Sequence, residues 1–228
     1  REMTERLAAE GYVGFAPDLF HRFTGDRELL RSTHAGPRVC NIIDDESVTD
    51  LAEACAYLRT LPYVDGEHIA CIGACQTGRQ PLVYSAQRND LAAAVVFHGG
   101  IYPRDWEPDA YNSVTIDSYL PRLSCPVLGL FGELDRLVPV GNVLRFREHL
   151  EKARRSYQIR LFAGTPHAWL DTSIPGNDNP ETAKETWRVL TSFLGDCFSG
   201  KWDRSRVLWR YESDTSPNLD FSKFTPMT

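Results

Sequence analysis

A thiol, a carboxylate and an imidazole each stand directly after an apolar run of this chain. Cys75 follows Ile69-Ala-Cys-Ile72, Asp135 follows Cys125-Pro-Val-Leu-Gly-Leu-Phe131, and His167 follows Tyr157-Gln-Ile-Arg-Leu-Phe162. These are the three types that nucleophilic catalysis uses: a thiolate to attack, an imidazole to move protons, and a carboxylate to orient the imidazole. A free thiol has a pKa of roughly 8.5, which a helix N-terminus or a histidine partner lowers. Taken singly, each residue has an ordinary reading. A cysteine at a strand end is commonly a small core residue, and an aspartate there is commonly a helix N-cap. The conjunction is what carries the chemistry. Glu133, two residues before Asp135, competes for the orienting role. His98 follows a fourth apolar run, Leu91-Ala-Ala-Ala-Val-Val-Phe97, and is expected to line a pocket rather than to act as the base.

The elements that must position these residues can be read around Cys75. Ile69 to Ile72 reads as a buried strand, and Gln80-Pro-Leu-Val-Tyr-Ser-Ala-Gln87 as a helix. A strand, a sharp turn with a nucleophile at its tip and a helix make the layout of a nucleophile elbow. Gly73 stands two residues before Cys75, where a small residue lets the turn close. The fifth position of the pattern holds Thr77 in place of glycine. The backbone N–H of Gln76, the residue after the nucleophile, is the expected oxyanion donor.

Further along, Leu91–Phe97, Cys125–Phe131 and Tyr157–Phe162 read as strands, and 139–154 and 180–193 as helices. Strands that are apolar throughout and alternate with helices predict an α/β fold, with a mostly parallel sheet covered by helices on both faces. Sites in such sheets form outside the carboxyl ends of the strands, where Cys75, Asp135 and His167 all fall. Upstream, residues 2–10 predict a helix stopped at Gly11, Tyr12–Ala16 a short strand, and Asp44 onward a helix with acids in its first turn. Residues 23–43 read as irregular, and 103–122 as a polar and aromatic loop over a site. Arg206–Tyr211 reads as an additional strand.

The order nucleophile, acid, histidine is that of α/β-hydrolases. The segments Pro17-Asp-Leu-Phe-His-Arg22, Gly73-Ala-Cys-Gln-Thr-Gly-Arg79, Phe131-Gly-Glu-Leu-Asp-Arg-Leu-Val-Pro139 and Gly164-Thr-Pro-His-Ala-Trp169 resemble the dienelactone hydrolase family. The resemblance implies an α/β-hydrolase domain over residues 1–197. It also implies a triad of Cys75 as nucleophile, His167 as base and Asp135 as orienting acid, and hydrolysis of a small ester or lactone through a thioester without a cofactor. Trp169, Arg79 and Arg22 are expected beside His98 in the substrate pocket. Family members that bind a dienelactone carboxylate carry an arginine shortly after the histidine. Ala168-Trp-Leu-Asp-Thr-Ser173 has none, which points to a neutral or differently shaped ester.

The totals set the remaining bounds. The chain has 228 residues, 42% of them hydrophobic and 25% charged, enough for one globular domain with a sizeable core. A net charge of −6 and the lack of a long basic cluster argue against nucleic acid as a partner. No apolar run is long enough to span a membrane. Six scattered cysteines without a framework read as reduced thiols of a cytoplasmic protein, and no metal site is expected. The chain opens on a helix pattern already in progress, Arg1 to Gly11, with no apolar strand before it. The first strands of the domain are therefore expected to lie upstream, to have been cleaved, or to come from a separate chain; a homodimer is the other assembly left open. Residues 198–228 read as an extension packing on the domain or on a partner. If the site were incomplete, the alternative function is a catalytically degenerate hydrolase fold that binds a ligand or a partner chain.

Overall fold

The computed structural model of the chain describes residues 2–26, 28, 42–108, 113–171, 173–174, 177 and 179–214. They form two compact units, residues 1–66 and 67–228. In the first unit, helix α1 (Glu2–Ala9) buries Leu7 and ends at Gly11, whose φ of 88° is open to glycine at little cost. Helix α2 (Asp44–Arg59) starts without a side-chain cap, so its first-turn acids Asp44, Asp45 and Glu46 act on the positive end of the helix dipole. Tyr12–Ala16, expected as a strand, carries none. Val13 and Phe15 are exposed there, and apolar alternation without a neighbouring ladder to donate to does not make a strand. Most of the expected irregular stretch 23–43, with His34 and Cys40, lies outside the described residues.

The second unit is built on a five-stranded, wholly parallel sheet in the order β1-β2-β3-β4-β5. The strands are β1 (Ala70–Ala74), β2 (Ala93–Phe97), β3 (Val127–Gly132), β4 (Tyr157–Phe162) and β5 (Trp209–Ser213). Every residue of β2 and β3 is buried. Successive side chains point to opposite faces, so both faces of the central strands are covered. Such burial stabilises by roughly 1.5–3 kcal/mol for each large apolar side chain. The outer strand β5 is half exposed. It brings the first part of the expected C-terminal extension into the sheet; residues 215–228 lie outside the described residues.

Between the strands run α3 (Gln80–Gln87), the short α4 (Ile116–Tyr119) and α5 (Val140–Lys152), and α6 (Pro180–Phe198) follows β4. Helix α6 begins on a working cap, with Thr182 N–H donating to the Asn179 side chain at 3.0 Å and Pro180 in the first turn. It buries Trp187, Leu190, Phe193 and Leu194 along one stripe. The expected loop 103–122 is partly helical, because Pro103 and Pro121 each open a 3₁₀ turn.

In register, Ala74 lies opposite Phe97, Phe97 opposite Leu130, and Gly132 opposite Phe162. The strands therefore end at one edge. Cys75, His98, Glu133 and the Ala163–His167 turn leave the sheet there.

Candidate active site

The turn after β1 is as tight as the sequence pattern requires. Cys75 has φ 51°, a left-handed value uncommon for a residue with a side chain. A Cβ on Gly73 would stand 2.1 Å from the Thr77 carbonyl oxygen, and one on Gly99 would stand 2.1 Å from the Cys75 carbonyl oxygen. Both glycines are thus required by close backbone approach. Thr77, the departure from the pattern, closes the turn with its hydroxyl. Its Oγ1 accepts from Ala74 N–H at 3.0 Å and donates to the Ala74 carbonyl at 2.9 Å. A 3₁₀ turn over Cys75–Arg79 then leads into α3.

Three strand ends converge on Cys75. His167 Nε2 lies 3.3 Å from Cys75 Sγ, and His167 Nδ1 lies 2.7 Å from Asp135 Oδ2. Asp135 is buried, and its other oxygen accepts from Leu137 N–H at 2.8 Å and Val138 N–H at 2.9 Å. It is therefore fixed by the turn after β3. Glu133 faces elsewhere and accepts from Gly164 N–H at 2.8 Å, which ties the turn after β3 to the one after β4. Asn177 donates to the carbonyls of His167 and Ala168 at 3.0 and 2.8 Å, holding the histidine's turn where Ala168 takes φ 55°.

The electrostatics follow from these contacts. Burial disfavours charge on His167, but its hydrogen bonds and charge interactions with Asp135 and Cys75 outweigh that and push its pKa up to about 9. Burial also opposes a thiolate at Cys75. Hydrogen bonds from His167 and Tyr102, the charge of His167 and the Gln76 backbone N–H outweigh it, and the thiol lies below its ordinary range. Two other thiols move oppositely: burial drives Cys125 up to about 11 and Cys197 up to about 12. The shifts of Cys75 and His167 thus run in the direction that favours a thiolate beside an imidazolium.

The remaining expected pocket residues divide. His98 comes to the site: its ring stands edge-on to His167 at 4.5 Å and to Trp169 at 5.2 Å. Burial and the nearby His167 charge push its pKa down to about 3, so it is neutral. Trp169 is a wall of the core, packed on Phe162, with its indole N–H donating to Thr186 at 2.9 Å. Arg79 turns away from the expected pocket. It is buried, paired with Asp105 at 3.6 Å, and donates to the Val114 carbonyl at 2.6 Å. A guanidinium without water needs such partners. Arg22 belongs to the first unit, where both its terminal nitrogens meet Asp50, at 2.5 and 2.6 Å. Cys75, His98 and His167 offer ligand-type atoms within 4.8 Å of one another. Within this cluster the sulfur and Nε2 are hydrogen-bonded to each other. Two participants lay beyond sequence reasoning: Asn177, in a polar stretch without periodicity, and Tyr102, whose only signal was its place after a strand that ends at the same edge.

Known proteins carry the same architecture. A relative from Salmonella typhimurium, provisionally named a carboxymethylenebutenolidase, is 27% identical over 203 residues, 88% of this chain and 73% of its own. One from Escherichia coli O157:H7, named in the same way, is 29% identical over 196 residues, 85% of this chain and 70% of its own. Among solved structures, a provisionally assigned dienelactone hydrolase from Klebsiella pneumoniae superposes with a TM-score of 0.72 at 24% identity, over 86% of this chain and 80% of that one. A dienelactone hydrolase-like promiscuous phosphotriesterase from metagenomic libraries reaches 0.65 at 23% identity, over 86% and 79%. These two likenesses establish the α/β-hydrolase fold. The dienelactone hydrolase family model aligns with residues 1–198, a span that takes in the elbow and both of its partners, and the chain belongs to that family.

Proposed function

We propose that the protein hydrolyses a small ester or lactone, with Cys75 as nucleophile, through a thioester. The observation that carries this reading is the unbroken chain from Cys75 Sγ to His167 Nε2 at 3.3 Å and from His167 Nδ1 to Asp135 Oδ2 at 2.7 Å. The Cys75 thiolate attacks the carbonyl carbon, a C–S bond forms, and the carbonyl electrons move onto oxygen. The Gln76 backbone N–H is the donor available to that oxygen; one such donor is worth about 3 kcal/mol in the transition state. As the intermediate collapses, the C–O bond breaks and the His167 imidazolium gives its proton to the departing alkoxide. In a lactone that alkoxide stays tethered and becomes a hydroxyl of the same molecule.

Neutral His167 then takes a proton from water, and the hydroxide adds to the thioester. The second intermediate expels the thiolate and releases the acid, which restores the starting pair. Asp135 keeps Nδ1 protonated throughout, so that Nε2 faces the sulfur. The substrate class follows from what surrounds the sulfur. His98, beside His167, is neutral, and Ala168–Ser173 holds no arginine to receive a carboxylate. A neutral ester or lactone fits that lining.

The test is p-nitrophenyl acetate turnover by the protein and by Cys75→Ser and His167→Ala, with mass spectrometry of the acid-quenched protein. The expected result is an acetyl group on Cys75 and loss of turnover in both variants. Equal rates in all three would overturn a mechanism through Cys75; no turnover in any of them, with no acetyl group on Cys75, would leave a hydrolase fold that binds without turnover.

A further inference from the structure

Three ligand-type side chains meet at this sheet edge, and the reaction above uses only two of them. Cys75 Sγ, a ring nitrogen of His98 and a ring nitrogen of His167 all lie within 4.8 Å of one another. His98 takes no part in the proton transfers, yet its place is closely determined. Its φ of 35° is a left-handed value that a residue with a side chain adopts at a cost. The two glycines after it are pressed onto the elbow: a Cβ on Gly99 would stand 2.1 Å from the Cys75 carbonyl oxygen, and one on Gly100 would stand 2.5 Å from the Gly78 carbonyl oxygen. Trp169 stands edge-on to the ring at 5.2 Å. His98 Nδ1 is buried with no hydrogen-bond partner among the described residues. A buried polar group left in that state is costly. The fold thus holds beside the sulfur an imidazole whose bonding capacity it leaves unmet.

We propose that Cys75, His98 and His167 form a zinc site of three protein ligands, and that zinc bound there reversibly closes the active site. One sulfur and two imidazole nitrogens, with no oxygen donor, suit zinc and not magnesium or calcium. Zinc–sulfur bonds are about 2.3 Å and zinc–nitrogen bonds about 2.0–2.1 Å, so ligand atoms around a tetrahedral ion stand roughly 3.4–3.6 Å apart. Cys75 Sγ and His167 Nε2, at 3.3 Å, are already near that spacing. His98, within 4.8 Å of both, has to close by at most roughly 1.4 Å. Asp135 Oδ2, 2.7 Å from His167 Nδ1, supplies the carboxylate that commonly stands behind a ligating histidine. Cys75 and His167 are only half-buried, which leaves the ion a way in from solvent. Binding trades the hydrogen bond between Sγ and Nε2 for one zinc–sulfur and two zinc–nitrogen bonds. The proton that the sulfur and Nε2 share leaves for solvent, and a water takes the fourth position. No group is oxidised or reduced. Held by the ion, the sulfur cannot attack and Nε2 cannot carry a proton. The loss of turnover rests on Cys75 being the nucleophile; the binding does not.

The experiment titrates the full chain, first stripped with EDTA, with zinc by calorimetry and with cobalt(II) by absorption. The expected result is one ion per chain, with tetrahedral cobalt bands and a sulfur-to-cobalt charge-transfer band. Turnover of p-nitrophenyl acetate falls in step with zinc occupancy and returns with EDTA. Cys75→Ser loses the charge-transfer band, and His98→Asn and His167→Ala each weaken zinc binding by at least about tenfold. Histidine nitrogen NMR of the unsubstituted chain gives a readout that stands even if His98→Asn folds poorly: zinc moves the ring signals of His98 and His167 together. Zinc affinity unchanged in Cys75→Ser and His98→Asn, or an unmoved His98 signal, overturns the site. Turnover that depends on Cys75 in a chain without such binding overturns the zinc site alone. Zinc held by all three ligands with turnover undiminished overturns the closure, and with it the reading of Cys75 as nucleophile.

Discussion

His98 and His167 leave one sheet edge, the first directly after β2 and the second in the turn that follows β4. Their rings stand 4.5 Å apart. Yet their pKa values separate in opposite directions, to about 3 and about 9. Burial presses both toward the neutral form. Of the two, only His167 has a hydrogen-bond partner on each nitrogen, the Asp135 carboxyl group on Nδ1 and the Cys75 sulfur on Nε2. His98 is wrapped by rings, with Nδ1 buried and unpartnered. The same residue type thus has its pKa raised at the end of β4 and lowered at the end of β2. The difference is set by whether a carboxylate from the adjoining β3 turn reaches the ring.

The comparison breaks most sharply at the members of the pair. Cys75→Ala and His167→Ala are each expected to lower kcat for p-nitrophenyl acetate by roughly 10⁴-fold or more, since residues that act as a unit fail together. The double variant is expected to lose little beyond either single one, and steady-state kinetics on all three check this. Asp135→Asn comes next, with a loss of roughly 10³- to 10⁴-fold, because the amide presents the wrong partner to Nδ1. It also removes the anion that separates the two histidines. The His167 pKa should then fall toward that of His98, which histidine NMR titration of the variant reads directly.

The pH dependence sharpens the same contrast. In acid, activity is expected to rise with pH as Cys75 becomes thiolate, at a pH below the ordinary thiol range. It is expected to fall through about pH 9, where His167 loses the proton owed to the leaving group. The sign for stability is the same: a histidine raised above its ordinary value of about 6.5 favours the folded state when protonated. That contribution is complete below about 6.5 and disappears as the pH rises through about 9. His98→Asn keeps a residue type that tolerates the φ of 35° found there. It is expected to change KM by at most about tenfold and to leave the alkaline limb in place, because His98 stays neutral throughout that range. A shift of the limb in His98→Asn would show that the two histidines share the proton.

Much of this edge was legible before the fold was known. Ile69–Ile72, Leu91–Phe97 and Cys125–Phe131 are apolar runs of the kind that a strand covered on both faces needs, and Tyr157–Phe162 is a strand with more alternation. Each ends at a residue able to do chemistry, so the carboxyl-end rule brings Cys75, Asp135 and His167 together. Arg79 was misplaced because a guanidinium next to a nucleophile reads as a substrate contact, whereas its partner Asp105 lies in another loop and no spacing announces it. Tyr102 escaped for the same reason: its loop has no periodicity, and only the docking of Gly100 on Gly78 brings that loop onto the elbow. Tyr12–Ala16 has the alternation of a strand, but a strand exists by virtue of a neighbour's ladder, and alternation does not supply one.

The smallest effect concerns Thr77, the one departure within the elbow itself. Glycine at that position would do nothing for the Ala74 N–H and carbonyl, which here both bond to the threonine hydroxyl. Thr77→Val keeps the shape and removes that bridge, so two part-buried backbone groups lose a partner. The expected loss is about 1–3 kcal/mol of stability, read as a lower midpoint in urea with an unchanged slope. Thr77→Ser should restore most of it, because the hydroxyl rather than the methyl makes both bonds. Activity per folded molecule should fall in Thr77→Val by much less than in Asp135→Asn, since the hydroxyl supports the turn at Cys75 and touches neither the sulfur nor the imidazole. If Thr77→Ser were as unstable as Thr77→Val, packing of the methyl group, not the bridge, would be what closes the elbow.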